Sequence, residues 1–470
     1  MCSMHGISGK RLQNIQKALK DTGKAPTDNR GKYDHKHCRT SEDTKQSVID
    51  HIKSFKSRSS HYSLSKSKKV YLPDTLNIKK MHAMYKELRP NDKSVSYEYY
   101  RIIFETNFNI SFGFPRSDTC STCDKYQAEL KVLNMELQNT PNVSVENTAT
   151  HEKLRKLKIE HELHLRKADM FYNKKRKAKK IAMQSVEEEC IAMDFQKNLS
   201  LPNLSTNDVY YRRQLSFYLF NIHSLSSGGA VFYSYPQTEG KKGADEVISM
   251  LNHYIFTKLD PKVKHLHIFC DSCSGQNKNY TLIRFCHYVV NVLQKLDTIK
   301  VVFPIRGHSF LECDRNMGLI NQKYAAELPE DWVELIRNCR VKPSPFEVVE
   351  ADLPLFRKWT EFYSKFYTNK CPFATRPVRE IRYLKQHSRL VEHRASYTGY
   401  WQLSPLISKQ NLRMLNLEVH HYDDGSFDLP PQSRSDLVPV PKPKYDDLQH
   451  LKQFCGPKAR EFYGRLPQEH

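Results

Sequence analysis

Two aspartates stand where apolar runs stop. Asp194 lies inside IAMDF, and Asp271 ends HIFCD and is followed by SCSGQNKN. A carboxylate in a buried strand costs on the order of several kcal/mol unless it is paired or holds a metal. The carboxyl ends of strands are also where α/β sheets place their ligands. A third acid is expected from the helix after the last of these strands, where RGHSFLECDRNMGLI offers Glu312 and Asp314. Three such carboxylates are hard oxygen ligands for two Mg2+ or Mn2+ ions about 3.5–4 Å apart. One ion would serve the attacking oxygen of a phosphoryl transfer and the other the leaving oxygen. Each acid also has a plainer use. Asp194 can cap a turn, Asp271 can open a loop, and Asp314 can N-cap the helix that follows.

The loop after Asp271 supplies helpers. Gly275 permits a tight turn close to the metals. Gln276, Asn277 and Asn279 are amides able to orient carboxylates or contact nucleic acid, and Asn279 also suits the N-cap of a helix starting at Tyr280. Lys278 can approach a phosphate. His308 fits a group behind the carboxylates, a phosphate contact or a buried structural histidine.

A second ligand set lies upstream. Cys120-Ser-Thr-Cys123 is a C-x2-C pair, and His161-Glu-Leu-His164 is an H-x2-H pair on one helix face. Two thiolates and two imidazoles make a tetrahedral zinc site. The stretch between the pairs is longer than in common zinc fingers. The plainer reading is a pair of thiols at a helix start, with both histidines on a solvated face. No thioredoxin-like strand precedes the cysteines, so nothing points to redox chemistry.

Residues 190–330 carry the elements that must hold the acids. Strands are expected at 190–195, 214–223 and 230–235, then a helix at 243–257 and a strand at 265–270. A helix at 279–295, a strand at 299–304 and a helix from about 314 to 327 follow. Three strands joined by short turns suit an antiparallel meander, and the later strand–helix–strand unit suits a parallel crossover. The fold class is therefore α/β, a mixed sheet with helices on both faces. This is the element order of an RNase H-like core, in which the strands of Asp194 and Asp271 are neighbours.

The flanks are less regular. Residues 1–70 form a basic arm whose helical stretches at 7–19 and 47–55 are a candidate helix-turn-helix, with a Ser- and Lys-rich linker at 56–70. Residues 71–189 read as a helical region, with helical spacing over 75–106, 124–139 and 147–189. Residues 331–470 read as an accessory region. It has Pro-rich extended connections at 342–354 and 429–443, a β-rich segment within 378–427 and a helical stretch at 445–465.

The chain has 470 residues, with 74 Lys and Arg against 52 Asp and Glu, a net charge of +22. Such a surplus suits a polyanion, nucleic acid first and an anionic membrane second. Lys174, Lys175, Arg176 and Lys177 read as a nuclear localisation signal, a phosphate contact or a solvated helix face. Tyr210, Tyr211, Arg212 and Arg213 lie between the first two strands and can meet DNA, or Tyr211 can join the core. The longest apolar runs are too short to cross a membrane. The first residues, MCSMHGISGKRLQ, lack the apolar segment of a secretory signal. The twelve cysteines lack the dense spacing of a secreted disulfide scaffold. These features together suggest a cytosolic or nuclear protein without a membrane partner.

The segment DSCSGQNKN at 271–279 resembles the D-x-C-x-G-Q-N-x-N signature of transposon-derived proteins spread through animal genomes. YRIIFETNFNISFGFPRSDTCSTCDKY, VYYRRQLSFYLFNIH, GHSFLECDRNMG and PKPKYDDLQHLKQF are similar to the same group. The resemblance implies an RNase H-like, DDE/D transposase-like core, nuclear location and DNA as partner. It matches Asp194 and Asp271 to the first two acids of a DDE/D site. Its GH[ST]F pattern followed by CDR favours Asp314 over Glu312 as the third. The reading is a nuclease or strand-transfer protein of the two-metal-ion type, able to form homo-oligomers. The alternative is a catalytically silent, transposase-derived DNA-binding protein.

Overall fold

The structure is a computed structural model that describes residues 8–26, 41–55, 58–59, 70–73, 75–89, 95–113, 120–139, 145–320, 326–420, 422 and 426–469. These fall into two units, Met1–Arg116 and Ser117–His470. The first unit contains α1 (Gly9–Thr22), α2 (Glu42–Ser54), β1 (Arg58–Ser59), β2 (Val70–Leu72), α3 (Ile78–Leu88), α4 (Tyr97–Asn107) and β3 (Ile110–Phe112). Ser41, Asn77 and Ser96 cap α2, α3 and α4 by accepting from a backbone N–H in the first turn. Val48, Ile52, Met81, Tyr85, Tyr100 and Phe104 close a small core between these three helices. The candidate helix-turn-helix would pair α1 with α2. Residues 27–40 between them lie outside the described residues. The packed partners of α2 are α3 and α4, while α1 buries no side chain. Most of the 56–70 linker likewise lies outside the described residues.

The second unit opens with α5 (Ser121–Asn139) and α6 (Val145–Ala182), followed by β4 (Glu188–Phe195), β5 (Leu199–Leu201) and α7 (Asp208–Tyr211). Then come β6 (Leu215–Ser224), β7 (Ala230–Pro236), α8 (Ala244–Thr257), β8 (His265–Cys270), α9 (Tyr280–Asn291), β9 (Thr298–Val302) and α10 (Glu312–Ile320). The remaining elements are α11 (Pro329–Asn338), β10 (Glu347–Glu350), α12 (Trp359–Ser364), β11 (Glu380–Leu384), β12 (Leu390–Arg394), β13 (Gln402–Pro405), α13 (Lys409–Glu418), α14 (Lys442–Leu451) and α15 (Pro457–Gly464). The fold class is α/β, as the sequence leads one to expect. One mixed sheet runs in the order β10-β7-β6-β4-β8-β9-β11-β12-β13, with β5 beside β6. β4, β8 and β9 are parallel, and β6 runs antiparallel to both β4 and β7.

Side chains along β4 alternate between two buried faces, as a two-residue period requires. Ile191, Met193 and Phe195 enter a core completed by α8, α9 and α12. Cys190 and Ala192 enter the opposite core, which α6, α10, α11, α14 and α15 cover. In α6, Ala168, Phe171, Lys175, Ala178 and Ala182 are buried at spacings of three and four, the stripe of a helix lying on a sheet.

Three expectations change. The helix expected to run to 189 stops at Ala182, because the residues from Glu188 onward pair in the sheet. The boundaries at 70 and 189 do not coincide with the division between units: 71–113 fall in the first and 120–189 in the second. The segment 331–470 supplies β10 to one edge of the sheet and β11, β12 and β13 to the other. It completes the core sheet, and its Pro-rich stretch at 342–354 contains β10. No helix among the described residues is long and apolar enough to cross a membrane.

One buried histidine fastens this later segment to α9. His287 Nε2 donates to Ser388 O at 3.0 Å, so Nδ1 must accept from Tyr367 Oη at 2.9 Å. Burial lowers its pKa to about 4, with the Ser388 carbonyl acting the other way. The unfolded chain takes up this proton below about 6.5, whereas the native state resists it until about 4. The contribution is therefore complete above about pH 6.5 and is lost as pH falls toward 4, by about 3 kcal/mol in all. Urea melts at pH 7 and pH 4.5 should show a larger loss for the wild type than for His287→Gln. Equal losses would remove this residue from the account of acid sensitivity.

Candidate functional site

The register of the central strands places the first two acids side by side. Met193 pairs with Cys270 in the parallel β4–β8 ladder. Asp194 and Asp271 are the next residues along each strand, with the strands about 4.8 Å apart. Asp194 also pairs across β4–β6 with Asn221, whose side chain is fully buried.

The helix α10 lies across β4 and β6 on the face that receives Cys190 and Ala192. It is anchored there by Cys313 Sγ, which donates to Asn221 O at 3.5 Å, and by Asn316 Nδ2, which donates to Asn221 Oδ1 at 3.0 Å. Asn316 Nδ2 also lies 3.0 Å from His223 Nδ1. Asp314 sits in the first turn, where Oδ2 accepts from the Leu311 backbone N–H at 2.7 Å. Asp314 is thus the third residue of α10, reaching back to the residue before the helix, and is not the N-cap that the sequence suggested as its plainer use.

The electrostatics link the three acids. Burial pushes the Asp194 carboxyl well above the ordinary carboxylate range, and the charges of Asp271 and then Asp314 push it further. The Phe195 N–H, 2.8 Å from Oδ1, and Lys242 act in the opposite sense. Asp194, Asp271 and Asp314 therefore share one crowded anionic neighbourhood.

Glu312 is differently engaged. Burial raises its carboxyl, but Lys175 Nζ at 2.9 Å outweighs this and leaves its pKa below the ordinary value. Its charge is already matched across α10 and α6.

The loop after Asp271 is ordered around that residue. Asp271 Oδ1 accepts from Asn277 Nδ2 at 2.7 Å and from the Cys273 N–H at 3.1 Å. Asn277 is fully buried, so its amide holds the carboxylate in one orientation. Asn279 caps α9, accepting from the Leu282 N–H at 2.9 Å, and donates to Gln276 O at 2.9 Å. Gln276 itself is half-buried.

Lys278 departs from expectation. It is only 6% exposed, and Nζ donates to Val378 O at 2.6 Å and Arg376 O at 3.1 Å. Burial lowers its pKa to about 8. It ties the loop to the segment before β11 and does not reach out to a phosphate. Lys278→Met should cost about 3 kcal/mol in a urea melt, because two carbonyls lose a charged donor. If the chain is retained on DNA, the salt dependence of that retention should stay unchanged, and a slope reduced by about one would restore the phosphate role.

Other expected DNA contacts divide in the same way. Lys174 pairs with the buried Glu380 at 3.0 Å, and Lys175 occupies the inward stripe of α6. Arg176 bonds Asn173, and both Arg176 and Lys177 are exposed. Arg212 and Arg213 grip the two oxygens of Asp447 on α14, at 3.2 and 3.1 Å. Tyr210 and Tyr211 are more than 80% exposed, with ring centroids 5.0 Å apart. Tyr211 is therefore not a core residue.

Sequence reasoning passed over Lys242. Its Nζ donates to Gln196 O at 2.7 Å and Asn198 Oδ1 at 3.0 Å and lies over the Phe195 ring at 4.7 Å. Burial lowers its pKa, while Asp194 and Cys273 raise it. Its positive charge acts on Asp194. The one available signal was its place beside Gly243, at the start of a helix that leaves the same sheet.

The second ligand set also rearranges. Cys120, Cys123, His164 and His308 form a group whose ligand atoms lie within 4.8 Å of one another and could hold a metal ion. Cys120 Sγ is 3.2 Å from His164 Nε2, Cys123 Sγ is 3.4 Å from His308 Nε2, and the two Nε2 atoms are 2.8 Å apart. His161 is not among them. Its ring lies 5.4 Å from that of Tyr126, one turn before His164 on α6. His308 takes its place because Gly307, at φ 78°, turns the β9–α10 loop against Cys120. Burial and the Cys120 sulfur push the Cys123 thiol up to about 12.

Comparison with protein-family models and with curated proteins finds no match to this chain.

Proposed function

We propose that this chain is a transposon-derived, DDE/D transposase-like protein that cleaves or joins DNA strands with divalent metal ions. The observation that carries the reading is that Asp194 and Asp271 each follow the last register pair, Met193 and Cys270, of two adjacent parallel strands, with Asp314 brought into the same electrostatic neighbourhood. The order β7-β6-β4-β8-β9, with β4, β8 and β9 parallel, supports an RNase H-like core. The DNA partner is supported by the net charge of +22, by exposed Arg176 and Lys177, and by the exposed Tyr210–Tyr211 pair. Nuclear location follows from that partner.

The donor set fits Mg2+ or Mn2+. It is made of carboxylate oxygens, the ligands these ions prefer, and its crowded negative charge is stabilised by a cation. Asp194, Asp271 and Asp314 would hold the ions. When bound, such ions polarise phosphoryl oxygens and ease deprotonation of the attacking water or 3′-hydroxyl. Asn277 fixes the Asp271 carboxylate, and the Asn221–Asn316 bond fixes α10 and with it Asp314. Lys242 places a positive charge beside the acids, where a phosphate diester would enter.

The test is to incubate the full chain with supercoiled plasmid and labelled duplex DNA, with Mn2+ or with chelator. Nicking or strand joining that needs the metal supports the reading. Salt-dependent DNA retention without turnover would instead identify a catalytically silent DNA-binding protein.

A further inference from the structure

We infer that Cys120, Cys123, His164 and His308 form a tetrahedral zinc site that fastens the root of the α5–α6 pair to the loop leading into α10. The site draws on three separate stretches of chain. Cys120 and Cys123 stand at the start of α5, His164 lies midway along α6, and His308 lies in the β9–α10 loop. Chance proximity of surface histidines does not explain the burial, since both cysteines and His308 are buried and His164 is half-buried. Two sulfurs and two imidazole nitrogens are the donor set of structural zinc, and four protein ligands leave no open position for a substrate.

The dimensions fit. Bonds of about 2.0–2.1 Å to nitrogen and 2.3 Å to sulfur require ligand edges of about 3.3 Å between nitrogens and 3.5 Å between nitrogen and sulfur. All six ligand edges lie within 4.8 Å, two of the four nitrogen–sulfur edges are 3.2 and 3.4 Å, and the nitrogen–nitrogen edge is 2.8 Å. Opening that last edge by about half an ångström admits the ion. Binding releases the two thiol protons to solvent as the thiolates form.

Two features make the assignment specific to this loop. Gly307 adopts φ 78°, and a side chain there would meet Cys120 Cα at 2.7 Å. The Tyr172 hydroxyl on α6 donates to His308 O at 3.1 Å, so the loop is held from both sides. Asp314 follows six residues after His308. The site thereby acts on the carboxylate cluster by position, through the start of α10, and takes no part in the chemistry. The zinc site does not depend on the nuclease reading, and its test uses no cleavage assay.

The full chain, purified without added metal and dialysed against a weak chelator, should retain about one zinc per molecule. Cys123→Ser and His308→Ala should bring the content near zero, and His161→Ala should keep it. Co2+ exchanged into the wild-type chain supplies a readout that needs no variant. It should give the intense visible bands of tetrahedral cobalt and the near-ultraviolet band of thiolate ligation. Wild-type protein that stays folded with no zinc and gives no such bands overturns the proposal. Loss of metal in His161→Ala, with retention in His308→Ala, overturns the ligand assignment.

Discussion

Asp271→Asn should lower the metal-dependent DNA cleavage proposed for this chain by about a hundred-fold or more while leaving the fold intact or slightly more stable. The two side chains have nearly the same shape, so Oδ1 of the asparagine can still accept from the Cys273 N–H and from Asn277 Nδ2. What is lost is one negative charge at the proposed metal site. Losing a single oriented group that stabilises charge at a reacting centre typically costs about 10²–10³ in rate, and a metal ligand belongs at the upper end. The stability effect has the opposite sign. Asp271 is the largest charge–charge influence that raises the Asp194 carboxyl, so removing it relieves repulsion in the metal-free protein. Calorimetry should show a melting temperature equal to or above that of the wild type, together with lost cleavage. Glu312→Gln provides the contrast. It breaks the pair with Lys175, so it should destabilise without a comparable loss of cleavage per folded molecule. Undiminished cleavage by Asp271→Asn would falsify the assignment of the site.

Gly307→Ala should be the most damaging alanine substitution among the glycines whose surroundings are described. Two costs combine. A non-glycine residue at φ 78° carries backbone strain of about 1 kcal/mol or more. The new Cβ would also stand 2.7 Å from Cys120 Cα and 2.9 Å from Cys120 Cβ. The first of these is backbone and cannot swing aside, so the loop or the start of α5 must move. Together the costs reach about 3–5 kcal/mol, which in a unit of this size lowers the melting temperature by about 5–10 °C. The same displacement pulls His308 from the cysteines, so metal retention should fall in parallel. Gly275→Ala is the control, because a Cβ there meets nothing within 4 Å. If Gly307→Ala melts like Gly275→Ala, the close approach of the two segments is wrong.

The order of elements in the central sheet was readable because its strands are apolar, β-branched and bounded by turn residues. The run HLHIFC marks a strand that the structure bounds at the same residues, His265–Cys270. The division into units was not readable, since it depends on which helices share a core and not on where composition changes. β10 was missed because EVVE is short and half-exposed, and its pairing with β7 spans more than a hundred residues of chain. Among the cations, Lys175 could have been separated from its neighbours in the sequence. It continues the three- and four-residue spacing of Ala168, Phe171, Ala178 and Ala182. Lys278 carried no such mark, because its partners are backbone carbonyls of a distant segment. His161 and His308 exchanged roles for a similar reason. Helix spacing identifies residues that share a face, but which face meets the cysteines is fixed by the loop that Gly307 turns.

The helix α6 has a mechanical consequence. At 38 residues it is about 57 Å long. Its later half lies on the sheet, and its earlier half runs beside α5. His164 stands near the junction, about 28 Å from the beginning of the helix at Val145. The helix is thus a lever with its fulcrum at the cysteine–histidine group. A tilt of about 5° there swings the far end by about 2 Å, and the reaction force falls on the loop that leads into the helix of Asp314. A load applied to the tip would therefore be felt at the carboxylates, and the stiffness of that one joint sets how strongly.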